Sequence, residues 1–162
     1  MATWRSAVAT YAIDPLGWKI KRTPVTRRLA EFRRLQWDSA DTWMERRDRL
    51  LGSLLSHAVT RVPFYMERVT DFTPERIERD PRSALPGFPI LGRSDIIGHF
   101  GELTCDMGLG RMLVGSGGST GTPVRVLQDR RYTAAAFAST QLSFDWAGIA
   151  RGDHRVALWG AR

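Results

Sequence analysis

The stretch VGSGGSTGTPVRV, residues 114–126, limits what the chain can fold into more than any other passage. Its four glycines, interleaved with Ser and Thr, leave too much backbone freedom for a helix, where each glycine costs about 1 kcal/mol against alanine. The stretch is therefore a loop, and its flanks predict strands: Met112-Leu113-Val114 enters, and Val124 to Gln128 leaves with Val124, Val126 and Gln128 alternating against Arg125 and Leu127. A turn alone needs one or two such residues. The surplus asks for a ligand or for unusual backbone.

Upstream, the periodicity is helical. Leu29 and Phe32 recur within a segment expected to run from about Val25 to Leu35. Trp43, Leu50, Leu51, Leu54, Leu55, Ala58 and Val62 line one face of a longer helix, with Arg46, Arg47, Arg49 and Ser53 across from them. Asp38-Ser39 marks its start and Val62-Pro63 its end. The two helices are expected to form a hairpin or arm, with the Trp43–leucine stripe serving as core or as a subunit interface, so self-association into a homo-oligomer stays open. Residues 71–89 are polar and proline-rich and predict a surface connection with one short helix near Glu75 to Arg79. FPILGRSDIIGHF then reads as an extended segment, a turn and a helix capped by Ser94. Tyr132 to Trp146 is an alanine-rich helix ended by Asp145 and Trp146, and HRVALWG is a strand close to Arg162. A parallel α/β sheet needs both faces covered, so a strand arriving there suggests a chain cut short. The organisation expected is a helical arm and connection over residues 1–85, then the start of an α/β core over 86–162.

The charge narrows the partners. With 24 Lys and Arg against 17 Asp and Glu, the chain carries +7. The arginines sit between acids, as in MERRDR and RIERDPR, the pattern of solvated helix faces, and the scatter argues against a nucleic-acid partner. Cys105 is the single cysteine, which excludes an internal disulfide and favours a reducing, cytoplasmic compartment. AVATYAI is too brief, and lacks the cleavage pattern, for a signal peptide, and no apolar run is long enough to span a bilayer. His57 sits between apolar helix neighbours and reads as a packed or half-exposed side chain. His99, Cys105 and His154 lack metal-ligand spacing, so no metal ligand is assigned.

Several known loops fail on spacing. A P-loop needs Lys after its closing glycine, and Gly121 is followed by Thr122. The dinucleotide fingerprint would need a third glycine where Thr120 stands. Gly117, Ser119 and Gly121 match G-x-S-x-G, which would make Ser119 the nucleophile of a serine hydrolase, but that elbow turns from a strand into a helix. Here Pro123 leads into a strand. What remains from the residues is an anion-binding loop: successive glycines let backbone amides converge on one centre, Ser116, Ser119, Thr120 and Thr122 add hydroxyl donors, and Arg125 can place a full charge at the rim. The competing reading is a flexible hairpin turn that binds nothing, in a chain that serves as a non-catalytic interaction module or is a relic.

Ser116-Gly117-Gly118-Ser119-Thr120-Gly121-Thr122-Pro123 resembles the phosphate-loop signature of the adenylate-forming enzymes, which include acyl-CoA synthetases, luciferases and peptide-synthetase adenylation domains. LLSHAVTRVPFY, FPILGRSDI and GDHRVALWG resemble, in order, passages of the phenylacetate-CoA ligase branch, including the capsular-polysaccharide CapK-type proteins. The resemblance runs from about residue 27 onward. It implies an α/β fold: part of the large N-terminal domain of the adenylate-forming fold, with a helical arm followed by strands around the phosphate loop. It implies a ligase that uses ATP and Mg2+ to convert a carboxylic acid to an acyl-adenylate and then hands the acyl group to a thiol, usually of coenzyme A.

Under this resemblance Ser116, Gly117, Gly118, Ser119, Thr120, Gly121, Thr122 and Arg125 hold the β- and γ-phosphates while charge builds on the leaving pyrophosphate. The chain departs from the pattern in three places. The positions around the proline that commonly carry lysine hold Thr122 and Val124, which passes the cationic contact to Arg125, and Gly117 stands where Ser or Thr is usual. The later motifs that hold adenine, ribose and magnesium, and the catalytic lysine, have no counterpart. The expectation is therefore a fragment without a catalytic residue, inactive in acyl activation when isolated.

Overall fold

The computed structural model describes residues 8, 16–17, 24–105, 110–115, 122–150 and 153. Its described elements are, in order, α1 (Val25–Leu35), α2 (Ala40–Arg61), α3 (Pro63–Arg68), α4 (Pro74–Arg79), α5 (Pro81–Ala84), a 3-10 turn (Leu85–Gly87), α6 (Arg93–Gly98), β1 (Met112–Gly115), β2 (Arg125–Gln128) and α7 (Arg130–Trp146). Helix dominates, and β1 and β2 pair as one two-stranded antiparallel sheet, so the chain is a mixed helix-and-strand protein. The chain divides into two compact units, one of residues 1–37 with 128–162 and one of residues 38–127.

In the first unit α1 packs on α7. Val25, Leu29 and Leu35 are buried from α1, and Ala134, Ala138 and Gln141, spaced to share one face of α7, are buried from the other side. Alanines at two of those positions let the helix backbones come close. The C-terminal ends of the two helices are tied by polar contacts: Arg33 forms a two-point ion pair with Asp145 at 2.7 and 2.9 Å, and the Trp146 indole N–H donates to Gln36 Oε1 at 2.6 Å. The sequence alone suggests that α1 and the next helix form a hairpin or arm; what it does not reveal is the packing of α1 on α7. Asp145 and Trp146 do end the last helix, and they also bind it to α1.

In the second unit α2 is the spine. Ser39 caps it, its hydroxyl accepting from the Thr42 amide at 3.2 Å, and the helix stops at Arg61 before Val62-Pro63. Helices α3, α4 and α5 pack along it. Leu55, Ile77 and Ala84 form the centre, with Leu51, Val59, Phe72 and Phe88 around them. Gly52 permits a close approach of α4, since a Cβ there would lie 3.2 Å from Glu78 Cα.

The expected apolar stripe is split by this packing. Leu55, Ala58 and Val62 are buried, whereas Trp43, Leu50 and Leu54 remain exposed. Helices α4 and α5 pack on the Leu55 side of the spine, so the wider stripe has an uncovered edge. Two short helices went unforeseen because their prolines read as breaks: Pro63 and Pro81 both sit in the first helical turn, where a missing N–H costs nothing. Among the described residues no helix is long and apolar enough to cross a membrane.

Candidate functional site

The glycine stretch is framed as its flanks predict. Strand β1 ends at Gly115 and β2 begins at Arg125, so the segment between them joins two antiparallel strands. A Cβ on Gly115 would meet Pro123 Cβ and the Val124 carbonyl at 4.0 Å, which places the two arms of the hairpin against each other. Ser116, Gly117, Gly118, Ser119, Thr120 and Gly121 lie outside the described residues, as do His154 and the HRVALWG segment. Thr122 and Arg125 are described, and the structure brings them together.

Both line a cavity of about 190 Å³ together with Pro123 and with Ile96, Ile97 and Phe100. The opposite wall is thus α6 and the turn after it. Helix α6 begins at Gly92, whose N–H donates to Asp95 Oδ2 at 2.8 Å. The sequence reading gave the cap to Ser94, but Ser94 lies inside the first turn, and it is Asp95, three residues beyond Gly92, that reaches back. Arg93 then extends from this first turn and donates from Nη2 to the Thr122 carbonyl at 2.6 Å. One cation thereby fixes the backbone at the exit of the glycine stretch. A second, the Arg125 guanidinium, is exposed and has no hydrogen-bond or ion-pair partner among the described residues.

The position of α6 is set from below by the VPFY passage. Phe64 is buried, its N–H donates to the Glu102 carbonyl at 3.1 Å, and its ring meets those of Tyr65 and His99 edge-on at 5.3 Å. Tyr65 in turn lies 5.8 Å from the Phe88 ring, and burial pushes its hydroxyl pKa above the ordinary value. Arg68 stacks on Phe64 with its guanidinium carbon 4.0 Å from the ring centre and pairs with Glu102 at 3.4 Å. His99 Nδ1 lies 3.1 Å from Glu102 Oε1, and this hydrogen bond, helped by the charges of His99 and Arg68, holds the Glu102 carboxyl below its usual range. His99, which lacked a role in the sequence, thus anchors the C-terminal end of α6 to α3.

His57 is exposed on α2, and its Nε2 lies 3.5 Å from Cys105 Sγ. Among the described residues no group of three or more His, Cys, Asp or Glu is placed to hold a metal ion. The residue the sequence reading missed at this site is Arg93. Its spacing from the loop carries no signal, because the contact spans 29 residues and depends on where α6 packs.

No protein-family model, no curated protein and no solved structure matches the chain.

Proposed function

We propose that the chain is an α/β segment of an adenylate-forming carboxylate–CoA ligase of the phenylacetate-CoA ligase and CapK type, and that residues 116–125 form its phosphate loop. The observation that carries this reading is the placement of Thr122 and Arg125 on the wall of one small cavity where the glycine stretch enters β2. A threonine hydroxyl and a guanidinium that has no ion pair among the described residues are donors suited to a phosphate oxygen. At about 190 Å³ the cavity is below the roughly 300–1,000 Å³ of sites that enclose a whole ligand, so it suits the phosphates and not the nucleoside.

In this reading ATP would supply the adenylyl group: the carboxylate would attack its α-phosphorus and displace pyrophosphate, and a thiol would then displace AMP from the acyl carbon. The chain's part is positioning. Arg93 holds the loop exit through the Thr122 carbonyl, Thr122 and Arg125 present donors, and Ser119, Thr120 and the amides near Gly118 and Gly121 complete the cradle. None of these residues forms a covalent bond with substrate. The later motifs that the resemblance associates with adenine, ribose and magnesium have no counterpart in the sequence, so the response expected of this chain in this reading is phosphate binding at the loop without acyl-adenylate formation.

The test is titration of the chain with MgATP, read from the backbone amide resonances of residues 115–125. Those resonances should shift, and Arg125→Ala should weaken binding by about 1.5–3 kcal/mol, the worth of a hydrogen bond to a charged group. Unshifted loop amides at saturating nucleotide would remove the basis of the reading. A longer protein that contains this chain should also exchange labelled pyrophosphate into ATP in the presence of its carboxylic acid.

A second reading, a non-catalytic interaction module, is favoured by the uncovered edge of α2, where Trp43, Met44, Leu50 and Leu54 are exposed. It requires no nucleotide response from the loop.

A further inference from the structure

The basic residues are not all interleaved with acids. From residue 15 to residue 30 the chain contains Lys19, Lys21, Arg22, Arg27 and Arg28 and no Asp or Glu. The end of that run forms α1, on which Arg27, Glu31 and Arg34 follow at helical spacing. With Pro24, Arg28, Ala30 and, from α7, Arg131 they line a groove of about 710 Å³.

Four guanidiniums and one carboxylate face this groove. Arg28 is matched with Glu31 at 2.7 Å. Arg27, Arg34 and Arg131 have no ion pair among the described residues. Arg27 and Arg131 also sit in the first turns of their helices, where the helix dipole already presents positive charge, and neither first turn contains an acid. Asp129, just before α7, is occupied in capping: its Oδ1 accepts from the Tyr132 amide at 2.6 Å. Arg27 and Arg131 thus stand at two helix starts and Arg34 in the last turn of α1, around a concavity of ligand size whose one carboxylate, Glu31, is paired with Arg28.

We propose that this groove is a binding site for a phosphate group, with Arg27, Arg34 and Arg131 as its ligating side chains. The planar guanidinium fork presents paired N–H donors that match two phosphate oxygens, and several forks facing one space favour a multiply charged anion over a carboxylate or chloride. The groove is built from other residues than the glycine loop, and the proposal stands whether or not that loop binds nucleotide. The phosphate could be carried by a soluble small molecule or by a lipid headgroup, which the test separates.

The test uses the full chain with inorganic pyrophosphate as probe. Arginine modification by phenylglyoxal, mapped by peptide mass spectrometry, reports each site separately. Pyrophosphate should protect Arg27, Arg34 and Arg131, and Arg125→Ala should leave that protection unchanged. The double substitution Arg27→Ala, Arg131→Ala should weaken pyrophosphate binding at the groove about tenfold, with Arg27→Lys, Arg131→Lys recovering only part of the loss because charge remains and the fork does not. Sedimentation with phosphatidylcholine vesicles containing phosphatidic acid then assigns the source: binding that the double alanine variant loses points to a headgroup, and its absence alongside protection by pyrophosphate points to a soluble anion. The proposal is overturned if the three arginines react equally fast with and without pyrophosphate, if protection is confined to Arg93 and Arg125, or if only an oligonucleotide protects them.

Discussion

Arg93 and Thr122 are joined by a 2.6 Å hydrogen bond from guanidinium to backbone carbonyl, and this contact links the first turn of α6 to the last turn before β2. A two-stranded sheet alone has little independent stability in water. The hairpin therefore depends on what it is tied to. Arg93→Ala should cost about 1 kcal/mol locally, the net worth of one such bond at the surface. The effect should appear as faster amide hydrogen exchange in residues 122–128, with the α2 amides unchanged. Equal exchange in variant and parent would show that the hairpin is held by other contacts.

Gly52 is buried in the middle of α2, a position where alanine would ordinarily be favoured by about 1 kcal/mol. Here a Cβ would stand 3.2 Å from Glu78 Cα and 3.6 Å from the Ile77 carbonyl, both backbone atoms of α4. Neither can rotate away. Gly52→Ala should therefore destabilise the unit by about 1–3 kcal/mol, the range for overpacking, instead of stabilising it. Urea denaturation of the two proteins decides the sign.

Much of this was legible in the sequence and some was not, for definite reasons. The limits of α1 and α2 follow from local signals: apolar spacing, the Ser39 cap and Val62-Pro63. The strands at Met112–Gly115 and Arg125–Gln128 follow from alternation around a stretch that cannot be helical. What local pattern could not supply is which face of α2 the later helices choose, since an apolar stripe wider than its cover looks the same as one fully buried. Nor could it reveal the Arg93–Thr122 contact or the α1–α7 pair, because both join residues far apart in the chain. The arginines of the groove carry no local signal for a related reason. Charge read residue by residue along α1 looks solvated, and only the approach of Arg131 from α7 gathers four guanidiniums against a single carboxylate around one concavity.

The second unit should lose stability in acid. Bonds from Arg82, with Arg47 assisting, hold the Asp48 carboxyl below its ordinary value, hydrogen bonds from Ser83 do the same for Asp80, and the His99 contact does so for Glu102. A group whose folded pKa is depressed contributes stability above its unfolded value, near 4 for carboxyls, and that contribution disappears as pH falls through the folded value. The urea midpoint should thus be flat near neutrality and fall between about pH 4 and pH 2. Asp48→Asn should shift the neutral midpoint down and flatten the acid limb. A midpoint unchanged down to pH 2 would show that these surface contacts contribute nothing in solution.

Leu54 and Leu55 are neighbours on α2 with opposite surroundings: the first is 63% exposed and the second 6%. Successive helix residues are separated by about 100°, so a boundary between covered and uncovered faces can fall between them. The covered side holds Leu55 against Ile77 and Ala84. Leu55→Ala should cost about 2–5 kcal/mol through lost burial and the cavity left behind. Leu54→Lys should stay within about 0.5 kcal/mol, because its side chain already meets solvent. Equilibrium unfolding of both variants tests the placement of α4 and α5 on the spine. If Leu54→Lys were the costly change, those helices would have to lie on the other edge of the stripe.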